Sequence, residues 1–323
     1  MKKILGIGNA LVDIMTRLEN DFFLETIGLP KGSMQLIDDE LVEKLHKQIE
    51  PLQKSISAGG SAANTISGLA NLGVETGFIG VVGNDNMGEF FANDMIKNGI
   101  KPHLYKSPNR SGVATAFVSP DSERTFATFL GAALELTDLH LDETILKNYD
   151  IIHVEGYLVQ NYTLIKSIMV KAKACGLTVS LDLASYNVVE ANLEFLKELV
   201  EEYVDIIFAN EDEAKAFTGK APHEALNILS QSCNISIVKT GEKGSLIKSK
   251  EYIYTIGIIP AKCIDTTGAG DLYAAGFLYG YVNNLPLEKC GEIGALLAGK
   301  VIEVIGSKLN SETWNIIKKK ILS

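Results

Sequence analysis

Cysteine is scarce in this chain: four residues in 323, Cys175, Cys233, Cys263 and Cys290, with no CxxC pair among them. That excludes a disulfide scaffold and argues against a zinc site. Histidine is equally thin, five residues with no HExxH. Positive charge is in deficit, 30 Lys and Arg against 40 Asp and Glu, for a formal net charge of −10. Such a field repels nucleic acid and anionic membrane surfaces, so neither is expected as a partner, and "KKK" at 318–320 reads as a solvated last helical turn. No uninterrupted apolar run reaches the length of a membrane span. The opening "MKKILGIGNALVDI" is basic and then apolar, but Gly6, Gly8, Asn9 and Asp13 interrupt it, which fits a first β-strand better than a signal peptide. A reduced, cytoplasmic protein is expected.

What is present is a chain with 46% apolar residues, enough for a large core in one big α/β domain or two average ones. Strand-like runs fall at 3–8, 76–82, 150–156, 177–183, 204–210 and 235–240, and several are continuously apolar, as when both faces of a sheet are covered. Helical patterns lie between them at 60–72, 88–98, 162–175, 190–202 and 222–232. The alternation predicts an α/β, doubly wound, mostly parallel sheet flanked by helices. Two segments break it. Residues 14–37 hold few helical repeats, and 111–130 alternates like a hairpin turning at Pro120-Asp121. Together they predict a small β-structure projecting from the main sheet.

The barest stretch is "DTTGAGD" (265–271), set directly before the apolar "LYAAGFLYGYV". Gly268 and Gly270 permit close backbone approach, and the helix that follows presents unpaired N–H groups to an anion. A carboxylate there, Asp271, makes sense if it takes a proton from a hydroxyl attacking a phosphoryl group while the helix end stabilises the spreading charge. The plainer reading is an Asp that caps a helix after a tight turn.

Four further stretches carry a chemical and a structural reading side by side. In "AGGSAAN" (58–64), Gly59 and Gly60 suit a hinge or a ligand against the backbone and Asn64 suits a hydroxyl; alternatively Ser61 merely caps a helix. "GIGNALVD" (6–13) lacks the third glycine of a dinucleotide fingerprint, and its Asp13 suits vicinal hydroxyls or a solvated turn. In "NEDE" (210–213), Asn210 and Glu213 stand at a strand end, suited to water around Mg²⁺ or to ordinary helix capping. "KTGEKG" (239–244) offers Thr240 and backbone to a nucleotide phosphate, or is only a turn. "GALLAGKV" (294–301) has the GxxxxGK spacing, but Val301 replaces the Ser or Thr of a P-loop and the stretch lies in a helical pattern.

Taken in order, "GNALVDI", "AGGSAAN", "GFIGVVGNDNMGEFF", "VDIIFANEDEA", "VKTGEKGS" and "IDTTGAGD" resemble the ribokinase-like (PfkB) carbohydrate and nucleoside kinase family along essentially the whole chain. The resemblance implies one ribokinase-like domain over 1–323, with a β lid built from about 14–37 and 103–130. It implies Asp271 as catalytic base and the amides of Gly268, Ala269, Gly270 and Asp271 as anion hole. Asp13, Gly59, Gly60, Ser61 and Asn64 fall to the acceptor substrate, and Asn210, Thr240, Gly241, Gly244 and Glu213 to Mg²⁺-ATP. A monovalent cation, K⁺, is implied at Asp265 and Thr267 by some members. "GSMQLID", "SERTFATFLGAA" and "YVDIIFANEDEAKAF" are similar to adenosine kinases. That likeness implies a nucleobase pocket of Gln35, Phe126, Leu130 and Tyr157, with Arg124 reaching the transferring phosphate. Two departures from the eukaryotic adenosine kinases stand out: Thr267 replaces their usual Asn, and "SAAN" replaces a more polar run. The expected activity is ATP- and Mg²⁺-dependent phosphorylation of a primary hydroxyl of a ribose-containing molecule, adenosine to AMP first, with a free sugar such as ribose or fructose as the alternative acceptor, by a monomer or homodimer. A non-catalytic binding protein is the expectation from a different class.

Overall fold

A computed structural model of the chain describes residues 2–121 and 123–322, in which fourteen strands form two sheets. The larger sheet runs in the order β14 (Tyr252–Ile256), β13 (Ser245–Ser249), β12 (Ile235–Lys239), β11 (Ile206–Asn210), β10 (Thr178–Asp182), β9 (Ile151–Glu155), β1 (Ile4–Ile7), β5 (Thr76–Gly83) and β6 (Ile100–Ser107). Every pairing is parallel except at the β12–β13–β14 end. Successive strand residues alternate between two cores. Ile4, Phe78, Ile151, Phe208 and Ile237 pack beneath helices Ser61–Asn71, Ala269–Val282 and Leu287–Val301. Leu5, Ile79, Ile152, Val179 and Ile207 pack beneath Tyr162–Ala174, Leu193–Tyr203 and Pro222–Ser232. Covering both faces is what makes these strands read as continuous apolar runs, and each large side chain so buried contributes roughly 1.5–3 kcal/mol. Among the described residues no helix is long and apolar enough to cross a membrane.

From β1 the sheet is wound outward in both directions, to β5 and β6 on one side and to β9 through β12 on the other. The reversal opens a crevice at the carboxyl ends of the strands, where ligands of such sheets bind. Polar and charged groups gather there: Asn9 follows β1, and Glu155, Asp182, Asn210 and Lys239 end four successive strands.

The smaller sheet has the order β3 (Met34–Leu36), β8 (Arg124–Phe129), β7 (Gly112–Val118), β2 (Leu11–Arg17) and β4 (Lys54–Gly59). The β7–β8 hairpin is antiparallel, as its alternation predicts. The extent of this sheet differs from expectation in three places. Residues 103–107 belong to β6, the parallel edge strand of the large sheet. β4, at 54–59, is an additional strand pairing with β2. Within 14–37, Phe22–Ile27 is a short helix rather than strand.

Candidate active site

Asp271 occupies the first turn of helix Ala269–Val282, yet it does not cap it; the N-cap is Gly268, in the left-handed region at φ 75°. The Asp271 carboxylate accepts hydrogen bonds from other elements, from Ser61 Oγ at 2.8 Å and from Asn64 Nδ2 at 3.0 Å. Burial is the main reason its pKa is pushed up to about 6, with the Asp182 charge adding to the rise and the Ser61 and Asn64 hydrogen bonds and Lys239 opposing it. A carboxylate so tuned is ionised at neutral pH and still basic enough to share a proton with an alcohol. Around it, Ala269 N donates to Thr266 O and Leu272 N to Gly268 O, while the amides of Gly268, Gly270 and Asp271 meet no acceptor among the described residues. The bare loop thus places open backbone donors beside a base.

Ser61 and Asn64 face that base because of Gly60. At φ 95° Gly60 is the N-cap of helix Ser61–Asn71, and a Cβ there would lie 2.3 Å from the Asn9 carbonyl oxygen. Ser61 is therefore a donor to Asp271 and not the helix cap. Asn64 is likewise committed on both sides, its Oδ1 accepting from Ser307 Oγ at 2.9 Å. A buried carboxylate demands such donors, so Ser61 and Asn64 are spent on the base.

Asp13 approaches from the smaller sheet. Strand β2 alternates, burying Val12 and Ile14 and turning Asp13 and Met15 to the cleft. The Asp13 carboxylate lies over Gly59, where an added Cβ would be 2.2 Å from it. Burial pushes its pKa up to about 7; Lys308 lowers it and Asp271 raises it, so the two aspartates sense each other across the cleft. Register extends this face to Ala116 and Phe126, because Met15 pairs with Ala116 and Ala116 with Phe126. Gln35 pairs with Ala127 instead, one residue out of phase, and so points to the opposite face. Leu130 is half-buried beyond the end of β8, at the start of the 3₁₀ turn Gly131–Glu135. Tyr157 lies on the 3₁₀ turn after β9, its phenol pushed up to about 12 by burial, with Glu155, Asp271 and Glu213 adding to the rise. It belongs with the base end of the cleft.

Arg124 ties the smaller sheet to the loop before helix Ala269–Val282, and not to a transferring phosphate as expected. Its guanidinium hydrogen-bonds the buried Asp265 carboxylate and the Thr267 hydroxyl, the place read from sequence as a K⁺ site. Asp265 also accepts from Thr267 N at 2.6 Å and from Gly306 N at 2.7 Å. A buried carboxylate requires a counterion, and Arg124 supplies it.

Where the sequence predicts the nucleotide, Asn210 and Glu213 form a capping box: Asn210 Oδ1 accepts from Glu213 N at 2.8 Å, and Glu213 accepts from Asn210 N and Nδ2, each at 2.7 Å. Burial holds the Glu213 carboxyl above its ordinary range. Asp182 is equally engaged, by Ala184 N at 3.0 Å and Lys239 Nζ at 3.0 Å. These oxygen donors fit a Mg²⁺ ion held through its own water shell rather than a stripped ion, and among the described residues no cluster of His, Cys, Asp or Glu is arranged for direct ligation. Gly241, at φ 54°, leaves its backbone open to a ligand next to the buried Thr240. Gly244 serves the fold, since a Cβ there would lie 1.9 Å from Ile256 O.

Four residues of this crevice escape a reading by motif: Glu155, Asp182, Lys239 and Lys308. Glu155 accepts from Asn9 Nδ2 at 2.6 Å and Ala62 N at 3.2 Å, tying the β1 turn to the start of helix Ser61–Asn71. The available signal was a charge ending an apolar run, as in "HVE", "SLD" and "IVK".

Residues 30–314 match the pfkB family carbohydrate kinase profile. The chain belongs to the pfkB family. A nucleoside kinase of Methanocaldococcus jannaschii is 33% identical over 268 residues, covering 81% of this chain and 85% of the relative. A probable sugar kinase from Rhizobium etli superposes with a TM-score of 0.90 at 33% identity, over 100% of this chain and 99% of the other. The adenosine kinase from Sinorhizobium meliloti gives 0.88 at 32% identity, over 99% of both chains. As a pfkB kinase the protein is a phosphotransferase with an alcohol acceptor, of the sugar and nucleoside kinase type, and its family's reaction uses ATP and a divalent metal.

Proposed function

We propose that the protein transfers the γ-phosphoryl group of Mg²⁺-ATP to a primary hydroxyl of a ribose-containing acceptor, with the 5′-hydroxyl of adenosine as the first candidate. The observation that carries this reading is the pairing of Asp13 and Asp271 across one cleft, beside unpaired amides at a helix N-terminus. Asp13 accepts from sugar hydroxyls and so orients the acceptor; Asp271 takes the proton of the attacking one. The amides of Gly268, Gly270 and Asp271 stabilise charge on the transferring group. Asp182 and Glu213 would hold Mg²⁺ through its water shell, and the ion would supply charge neutralisation on the phosphates. Phe126, on the same face as Asp13, offers an aromatic surface to a nucleobase. Closure of the smaller sheet over the acceptor excludes water and restrains ATP hydrolysis.

The test is ATP-dependent phosphorylation of adenosine, other nucleosides, ribose and fructose, each with and without Mg²⁺. Turnover of adenosine with little on free sugars is the expected result. Preferential turnover of ribose or fructose keeps the chemistry and overturns the nucleoside assignment. Silence across the panel from folded protein overturns the ribose-containing acceptor.

A further inference from the structure

Lys239 ends β12, opposite Asn210 in register, and its ammonium pairs with Asp182 Oδ2 at 3.0 Å. Burial alone would lower its pKa, but the charges of Asp182, Glu213 and Asp271 prevail and hold it above the ordinary lysine range. The ammonium also lies against the glycine loop: a Cβ on Gly270 would be 3.0 Å from Lys239 Nζ. It therefore lies beside Gly270, whose amide, like that of Asp271, meets no acceptor among the described residues. An ammonium has three N–H donors, and the pair with Asp182 is its one hydrogen bond among the described residues.

The partner of this lysine is itself held with care. Asp182 Oδ1 accepts from Ala184 N at 3.0 Å, and Ala184 sits at φ 69°, a left-handed conformation that is strained for a non-glycine residue. A pair that only stabilised the fold would be replaceable by apolar side chains without such strain. Three carboxylates surround the place where a phosphoryl group must arrive, and Lys239 is the cation that faces all three.

We propose that Lys239 is a catalytic residue, the side-chain arm of the anion hole, donating to the transferring phosphoryl group alongside the Gly270 and Asp271 amides. Asp182 is the positioning residue that aims it. As the acceptor oxygen bonds to the γ-phosphorus, the bond to the bridging oxygen breaks and its electron pair leaves on ADP. The hydroxyl proton goes to Asp271. Lys239 transfers no proton; it stabilises charge on the phosphoryl oxygens. The glycine at 270 is then required by the lysine as much as by the phosphate. This assignment rests on the phosphotransfer reading above.

The decisive variant is Lys239→Met in the full chain, assayed with an acceptor that the wild type phosphorylates. Expected is a fall in kcat of about 10²–10³-fold with acceptor KM changed by less than about threefold. A second readout needs no turnover: the gain in ADP affinity caused by aluminium fluoride, a mimic of the phosphoryl group in flight. Wild type shows the gain, Lys239→Met loses it while binding ADP alone as before, and Asp182→Asn shrinks it. A kcat within about threefold of wild type, or an unchanged fluoride gain, overturns the proposal. Should Lys239→Met fail to fold, Lys239→Gln takes its place; failure of both assigns the lysine to the fold and equally overturns it. If wild type phosphorylates nothing in the panel, the acceptor assignment has failed, and the fluoride measurement still decides Lys239.

Discussion

Asp271 is a buried carboxylate whose two oxygens accept from Ser61 and Asn64, and its chemistry follows from that confinement. Asp271→Asn keeps the shape and removes the base, so kcat should fall by at least about 10³-fold while calorimetry shows acceptor affinity within a few-fold of wild type. The same confinement fixes a pH dependence. The base must be unprotonated, and its value is raised to about 6, so kcat/KM should be lost as pH falls through 6; Asp13, raised to about 7, brings the decline in earlier. A rate profile level down to pH 5 would count against both assignments. At this scale the sequence was informative where residues are neighbours. "DTTGAGD" shows its own bareness, and "AGGSAAN" its glycines, although Ser61 and Asn64 turn out to serve the base. Lys239 and Asp182 were hidden because they meet only in the fold, 57 positions apart. Gln35 was misplaced by parity, since a single-residue step along a strand reverses its face.

At the level of elements, the join between β4 and helix Ser61–Asn71 does most to assemble the site. Gly60 holds φ 95° there with Asn9 O where a side chain would go. Gly60→Ala should destabilise the protein by about 1–3 kcal/mol in urea unfolding, with a fall in kcat larger than that of distant variants of equal stability. Wild-type stability and rate in this variant would show that the join tolerates the strain. The six central strands of the large sheet and most of its helices were legible from the sequence to within a few residues, because each has a covered face and a clear apolar period; the outer strands β6, β13 and β14 were not. The smaller sheet was less so. Its strand β4 is mostly exposed and carries only "KSISAG", too polar to distinguish from a loop, and edge strand β6, half-buried along its middle, has no clear apolar period to mark it.

For the whole molecule, the crevice concentrates carboxylates that a core would not tolerate. Burial raises Asp13 and Glu155 to about 7 and Asp271 to about 6, and lifts Glu213 in the same direction. Such groups bind protons more tightly folded than unfolded, so the stability they contribute is complete below about pH 4 and lost as pH climbs through 6 and 7. His153 acts oppositely: burial lowers it to about 4, so its contribution is present above about pH 6.5 and lost as pH falls. Four raised carboxyls outweigh one lowered imidazole, so thermal melts of the unliganded protein should be highest near about pH 4.5 and decline as pH rises to about 7. A Tm that is flat or rising across that interval would mean these groups are ionised in the folded state without cost. The doubly wound arrangement was legible from strand and helix alternation alone, whereas the meeting of two sheets around one cleft depends on contacts, such as Arg124 with Asp265, that no local pattern encodes.

The cleft divides its labour between two bodies of sheet. Asp13 and Phe126 ride on the smaller one; Asp271, Asp182, Lys239 and Glu213 belong to the larger and its helices. Inheritance can act on these separately. On the proposed reading, substitutions in the small sheet other than at Arg124 would redraw what the acceptor must look like and leave the residues proposed to act on ATP in place. A lineage so built can change its diet without relearning its chemistry, and relatives named for sugars and for nucleosides on a single framework are the outcome that arrangement favours.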